Sequence, residues 1–331
     1  MKRALIIGIA GQDGSYLSEH LLEAGCEVHG TCRPGEEGDP ASLWRLAPIL
    51  DRLILHPVSL EDCSTLRRLV LGLAPEECYH LAGTRKAVDG ANSAVLLEGA
   101  IATSHTLAEA LSHVPQAGLL FAASSEMFGP EAPAPQDERT TFDPRSLYAI
   151  AKVAGVQLMR YYREHHGLRA CSAILFNHES PRRGTEFVTR RITQAAARIR
   201  LGLQSGLELG DLDARRDWGH ARSFAKGMWM MLQQESPQDL VLATGHTHSV
   251  REFLEAAFDR LGLDPYAHIT VDPALVRLQP GQLRGDPSRA ASLLGWKDEV
   301  PFASLVAEMV DADLARSQAG VAANPFECSG I

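Results

Sequence analysis

ALIIGIAGQDGSYLSEHLLEAG, residues 4–25, passes without interruption from an apolar run through a glycine-spaced turn into an amphipathic helix. Ala4 to Ile7 is continuously apolar, as a parallel strand buried on both faces requires. Gly8, Gly11 and Gly14 follow at once, and Gly25 closes the helix. A phosphate-binding turn uses glycine for a tight bend, for close approach to a pyrophosphate, and for packing the helix on the strand. The spacing is GxxGxxG rather than GxGxxG, so the glycines alone describe only a glycine-rich turn. The strand before and the helix after favour a dinucleotide site, with Gln12 and Asp13 inside it.

The same alternation continues outward. Cys26–Thr31, Arg52–Leu55, Cys78–Ala82 and Leu119–Ala123 read as strands, and Ser64–Leu73 and Ser104–Leu111 as helices between them. Strand and helix in turn over about 120 residues predict an α/β fold with a doubly wound parallel (Rossmann) sheet. The proline-rich segment 129–145 is a loop leading into a helix that starts near Ser146, and Ala170–Phe176 is a further buried strand. The expected division is a dinucleotide-binding domain over 1–177, a smaller substrate lobe over 178–318, and a loose tail over 319–331. Segments near 207–245, with short strands at Leu207–Leu209 and Leu240–Leu242, partly return to the first domain.

The second strand ends at Gly30-Thr-Cys-Arg33. An acidic residue there would hold the adenine ribose hydroxyls, whereas a cation pairs with a 2′-phosphate. Arg33 therefore favours NADP over NAD; the alternative is a solvated arginine beside Glu36 and Glu37.

Tyr148 and Lys152 in SLYAIAK are i and i+4, so on a helix they share a face. An ammonium beside a phenol favours the tyrosinate, an accessible base. By itself YxxxK is common. Ser124, Ser125 and Glu126 follow the strand 119–123, and strand C-termini face the ligand crevice in a doubly wound sheet. A partly desolvated carboxylate at Glu126 can shuttle a carbon-bound proton, which points to elimination rather than simple redox. A capping or surface carboxylate is the plainer reading.

The 331 residues are 45% hydrophobic and 22% charged, the composition of an ordinary soluble enzyme. The formal net charge of −9 argues against a nucleic-acid partner. Cys26, Cys32, Cys63, Cys78, Cys171 and Cys328 show no zinc spacing, and they suggest a reduced, cytoplasmic protein. The apolar part of MKRALIIGIAG is too short for a signal peptide, and no stretch is long enough for a membrane span.

Longer runs carry a resemblance: SSEMFG (124–129), PRSLYAIAK (144–152), ILFNHESPRRGTEFVTRRI (174–192), LGDLDARRDWGHA (209–221) and ATGHTHSVREF (243–253). With GQDGSYL (11–17) and LGWK (294–297), they resemble the GDP-mannose 4,6-dehydratases, extended short-chain dehydrogenase/reductases. The likeness runs from Gly8 to about Ala315. It implies a hydro-lyase acting on a nucleotide-diphosphate hexose, GDP-mannose foremost, with NADP as a tightly held catalyst. It also implies that Tyr148 takes the C4 hydroxyl proton, Lys152 holds the ribose and tunes Tyr148, Ser124 bonds the C4 oxygen, and Glu126 removes the C5 proton. Leu81 joins Gly8, Gly11, Gln12, Asp13, Gly14, Arg33, Tyr148 and Lys152 in the cofactor set. Asn177, Val188, Arg216 and Arg277 match the nucleotide-diphosphate contacts; for Arg216 an ion pair with Asp211 or Asp217 is the structural alternative. No metal is implied, although His178 and Glu179 adjoin. Arg190 and Arg191 are expected on a solvated helix face, His220 as structural, and Met228–Met231 as core.

The chain departs from the family pattern in several places. Thr84-Arg85-Lys86 replaces a small-polar segment near the sugar, and Val58-Ser59 replaces Gly-Asp after the third strand. Arg33-Pro34 replaces an arginine pair in a loop tied to tetramer formation, and 277–282 is one residue short. These leave open another nucleotide sugar, a 4-reductase or 4-epimerase, or a non-catalytic paralogue. A homodimer or homotetramer is expected, paired through the helices around Ser104 and Tyr148.

Overall fold

The computed structural model describes residues 1–83, 93–275 and 282–320. Its first half alternates as β1 (Arg3–Ile7), α1 (Gln12–Glu23), β2 (Glu27–Cys32), β3 (Leu53–Pro57), α2 (Cys63–Leu73) and β4 (Glu77–His80). α3 (Ser93–Ser112), β5 (Gly118–Ser124), α4 (Leu147–His166) and β6 (Arg169–Leu175) continue the pattern. The second half holds β7 (Asn177–Glu179), α5 (Val188–Arg200), β8 (Leu207–Leu209), β9 (Arg215–Arg216), β10 (Trp218–His220) and α6 (Ala221–Leu232). Then come β11 (Leu240–Leu242), β12 (His248–Ser249), α7 (Val250–Asp259), β13 (Ile269–Val271), α8 (Ser288–Leu294) and α9 (Phe302–Gln318).

Seven strands form one sheet in the order β11-β6-β5-β4-β1-β2-β3, and every pairing in it is parallel. Strand order reverses between β1 and β4, which opens the ligand crevice of a doubly wound fold above their carboxyl ends. β1 and β5 are buried almost throughout, which explains their apolar runs, while β4 is buried throughout although it carries Glu77 and His80. β3 is the edge strand and tolerates Pro57, whose missing N–H no neighbour requires.

Local signals set the helix ends. Asp62 accepts from Thr65 N at 3.0 Å to start α2, and Ser146 accepts from Ala149 N at 3.1 Å to start α4. Such a cap is worth about 1 kcal/mol. α4 stops at Gly167 in the left-handed conformation. α3 is longer than the expected 104–111. Its sequence is apolar nearly all round, so periodicity does not mark where it begins.

Apolar side chains fill both faces of the sheet. One face packs β1, β2 and β6 against α1 and α6, and the other packs the sheet against α2, α3 and α4. Met228 and Met231 are buried in the first layer, with Trp229 and Met230 packed against it. A third core forms among α5, α7 and α9 around Trp218, Phe253 and Met309. Its interior corrects the expectation for Arg190, which is 1% exposed rather than solvated. Asp313 on α9 takes its guanidinium at 2.6–3.0 Å, and the carbonyls of Pro181 and Arg183 take the rest. Arg191 faces outward enough to reach only the Glu208 carbonyl.

Candidate active site

β1 ends at Ile7 and the chain bends at Gly8, where φ is +88°. A side chain there would also press on Ala82, 3.1 Å from a β-carbon at Gly8. Gly14 answers a different need: a β-carbon would fall 2.6 Å from the Ile9 carbonyl oxygen, so only glycine lets α1 start so close to the turn. Gly11 caps α1 in extended conformation, and no side chain bonds to the cap. The first-turn N–H groups thus lack a side-chain acceptor, the arrangement in which helix N-termini receive phosphate oxygens. The residues present fit a dinucleotide pyrophosphate.

Gln12 and Asp13 lie in that first turn, and both are engaged by the chain itself. Gln12 Nε2 donates to the His178 carbonyl at 3.1 Å, and Ser180 Oγ donates to Gln12 Oε1 at 2.7 Å. Asp13 lies 3.1 Å from His178 Nε2. Burial pushes the Asp13 carboxyl up, but the His178 charge and hydrogen bond, Arg183 and Gln12 outweigh it and hold it at about 2.

At the end of β2, Thr31 Oγ1 accepts from Gly8 N at 3.2 Å. Arg33 follows the strand with its side chain 70% exposed and 3.4 Å from Glu36 Oε1. Leu81 lies just past β4, half-buried.

Ser124, Glu126, Tyr148 and Lys152 gather at the neighbouring strand ends. Ser124 is the last residue of β5, in register with Leu175 of β6. The chain then makes a short 3₁₀ turn, 125–128, in which Ser124 Oγ accepts from Glu126 N at 3.3 Å. Glu126 is half-buried there. Tyr148 and Lys152 project from the first turns of α4. Lys152 Nζ donates to the Ala122 carbonyl at 2.7 Å and lies 5.6 Å from the Tyr148 ring and 4.9 Å from the Phe121 ring. A β-carbon at Gly83 would stand 3.1 Å from the same ammonium, so β4, β5 and α4 converge on it. Burial pulls the Lys152 pKa from 10.5 down to about 8, against the pull of the Asp13 charge. His80, at the end of β4, is driven to about 3 by burial and by Lys152. It is a neutral imidazole sharing a 3.1 Å hydrogen bond with Ser104.

Of the residues expected to contact the nucleotide diphosphate, Asn177 opens β7 and Val188 opens α5, both half-buried. Arg216 lies in β9 with Nη1 2.6 Å from the Arg215 carbonyl. Asp217 spends its oxygens on Thr244, Gly245 and Gly285. Arg277 and Thr84-Arg85-Lys86 lie outside the described residues. Glu179 is taken by Thr189 at 2.7 Å and Arg183 at 3.1 Å. His220 caps α6 and meets Glu308 at 3.0 Å, a structural post.

Two further groups belong to this site. Arg45 reaches from the β2–β3 connection to the carbonyls of Ala10, inside the turn, and Arg182, at 3.3 and 2.7 Å. His178, which the sequence offers beside Glu179 as a metal candidate, turns its ring to Asp13. Neither carries a local signal, because the partners are remote in sequence.

A family profile described as GDP-mannose 4,6 dehydratase matches residues 5–309. The chain is 45% identical over 325 residues to GDP-mannose 4,6 dehydratase 1 of Arabidopsis thaliana, covering 95% of this chain and 90% of that protein. It is 40% identical to the GDP-mannose 4,6-dehydratase of Yersinia enterocolitica, with 99% of each covered. Among solved structures, the dTDP-glucose 4,6-dehydratase of Bacillus anthracis in complex with NAD superposes with a TM-score of 0.82 at 15% identity. That superposition covers 96% of this chain and 98% of the other.

Proposed function

The chain belongs to the GDP-mannose 4,6-dehydratase family, and from that premise we propose that it dehydrates GDP-mannose to GDP-4-keto-6-deoxymannose with NADP as its redox group. When bound, the nicotinamide supplies a reversible two-electron acceptor, so that oxidation at C4 is undone at C6 with no net redox change. Gly8, Gly11, Gln12, Gly14 and Leu81 form the dinucleotide cradle, and Asp13 adds only its backbone N–H in the first turn of α1, its carboxylate being turned to His178. Arg33 is the cation offered to a 2′-phosphate, and the absence of Asp or Glu over Thr31–Arg33 supports NADP.

Tyr148, as phenolate, takes the C4 hydroxyl proton. Lys152 sustains that phenolate by its charge and binds ribose hydroxyls. Ser124 donates to the C4 oxygen. The C4 ketone acidifies the C5 proton, which Glu126 removes and passes to the C6 oxygen, so that oxygen departs as water. The proton gained by Tyr148 equals the one needed at C5 when the electron pair returns, and the count closes. Asn177, Val188, Arg216 and Arg277 hold the nucleotide diphosphate, for which the planar arginine fork is suited.

The observation that carries this reading is the convergence of β4, β5 and α4 on a buried ammonium beside Tyr148, with Ser124 and Glu126 at the same strand end. The test is incubation with GDP-mannose and mass analysis of the product. Loss of one water is expected, and Glu126→Gln should abolish it while still binding the dinucleotide. Dehydration by Glu126→Gln at the wild-type rate would remove the elimination role. A panel of GDP-, UDP-, CDP- and dTDP-sugars tests the base and the hexose. Epimer formation without water loss would favour a 4-epimerase instead.

A further inference from the structure

His178 Nδ1 lies 2.7 Å from the Phe176 carbonyl oxygen, and Nε2 lies 3.1 Å from the Asp13 carboxylate. A carbonyl and an ionised carboxylate only accept hydrogen bonds. Both ring nitrogens must therefore carry hydrogens, and a neutral imidazole has only one. The geometry requires an imidazolium. The ring is buried, stacked 4.8 Å from Phe224. Burial opposes the charge, but the Asp13 charge, its hydrogen bond and the Phe176 carbonyl together raise the His178 pKa. The other cation facing it, Arg183, is an ion-pair partner of Glu179 at 3.1 Å.

The place of this pair matters. Asp13 is the second residue of α1, the helix whose first-turn N–H groups fit a pyrophosphate. An uncompensated carboxylate there would oppose a bound dianion. We propose that His178 is a positioning residue for the dinucleotide: as an imidazolium it neutralises Asp13 within the phosphate-binding turn and clamps β7 to α1. The inference rests on the reading of that turn as a dinucleotide site. The pair as a whole is neutral, so the helix N-terminus remains the dominant field at the pyrophosphate. The Gln12–His178 and Ser180–Gln12 hydrogen bonds run in parallel with it and hold the same two elements together.

The experiment is isothermal titration of the full chain with NADP and, separately, NAD. It compares wild type, His178→Gln, Asp13→Asn and the double variant. His178→Gln leaves Asp13 charged and should raise Kd about 10- to 100-fold, the scale of one uncompensated charge near a phosphate at an effective protein dielectric. Adding Asp13→Asn should restore Kd to within about threefold of wild type, since no carboxylate remains to oppose the ligand. A purely structural role of His178 predicts the opposite, because the double variant loses both halves of the contact. A double variant as weak as His178→Gln overturns the proposal, and so does a His178→Gln protein that binds like wild type. Should His178→Gln fail to fold, Asp13→Asn decides: it should bind as tightly as wild type or tighter, and weaker binding refutes the neutralising role. A wild-type chain that binds neither dinucleotide sinks the reading of the turn and this inference together. That outcome is distinguishable because the defect precedes any substitution.

Discussion

Lys152→Met should make the protein more stable and nearly inactive, and the structure sets the size of the first effect. Lys152 is 6% exposed, and burial brings its pKa from 10.5 to about 8. At roughly 1.4 kcal/mol per pK unit, holding the charge inside costs about 3 kcal/mol at neutral pH. Methionine has nearly the same volume and no charge. It also gives up the 2.7 Å hydrogen bond to the Ala122 carbonyl, and an orphaned buried acceptor costs about 1–3 kcal/mol. The net expectation is a gain of about 0–2 kcal/mol at pH 7. The sign of the pH dependence follows from proton counting. Between pH 8 and 10.5 the folded chain has released the Lys152 proton and the unfolded chain still holds it, so wild-type stability rises across that window. The advantage of the variant is therefore greatest below pH 8 and shrinks towards pH 10.5. Urea unfolding of both proteins at pH 7 and pH 9.5 measures it, with the difference between them cancelling groups that titrate in common. Sugar oxidation should fall about 10²- to 10⁴-fold, the usual contribution of a positioned acid–base group. A variant less stable than wild type by more than about 1 kcal/mol at pH 7, or a stability gap that does not change with pH, would refute the argument.

Two further outcomes test the lobe and the surface. Asp313→Ala strands the Arg190 cation in the third core and should cost about 3–5 kcal/mol, seen as a lower calorimetric midpoint, whereas Arg190→Met with Asp313→Leu should recover most of it; an unchanged midpoint in the single variant would show that the charge is not confined there. Ile150 and Tyr161 lie exposed on one face of α4, which packs beside α3, and we propose this face as the homodimer seam. Ile150→Glu with Tyr161→Glu should convert the dimer to monomer in sedimentation, and a wild-type chain already monomeric at micromolar concentration removes the proposal.

How far the sequence reaches depends on how local each signal is. The glycine turn was readable because strand, bend and helix are contiguous, and strand–helix alternation then dictates the parallel sheet. Tyr148 and Lys152 were readable as a pair because helical geometry places i and i+4 together. Ser124 and Glu126 were placed at the crevice by one rule about strand ends. What sequence could not supply was electrostatic partnership at a distance. Asp13 and His178 stand 165 residues apart, and Arg190 and Asp313 stand 123 apart. The adjacent arginines 190 and 191 look alike in sequence, yet helical rotation sends one into the core and the other outward. Arg33 shows a different limit: the sequence offers both a phosphate-pairing cation and a solvated arginine beside Glu36, and the structure finds the side chain 70% exposed and 3.4 Å from Glu36.

The proposed chemistry gives a reason for the part-buried charge pair between the turn and β7. A dehydratase with no net redox change must accept an electron pair from one carbon and return it to another carbon of the same sugar. The dinucleotide then has to stay in register with the sugar through elimination, not merely meet it once. In the proposed site α1 carries the dinucleotide turn, while β7 begins with Asn177, proposed to meet the nucleotide sugar. Three contacts join them: Gln12 to the His178 carbonyl, Ser180 to Gln12, and His178 to Asp13. Two are neutral hydrogen bonds, each worth about 1 kcal/mol, and the charged one is worth more. Sliding β7 against α1 would break all three and leave Asp13 charged and uncompensated at the start of α1. Its carboxyl, held at about 2, cannot relieve that penalty by taking up a proton at neutral pH until the contact is already lost. The pair therefore ties the two halves of the reaction together more stiffly than its hydrogen bonds alone would.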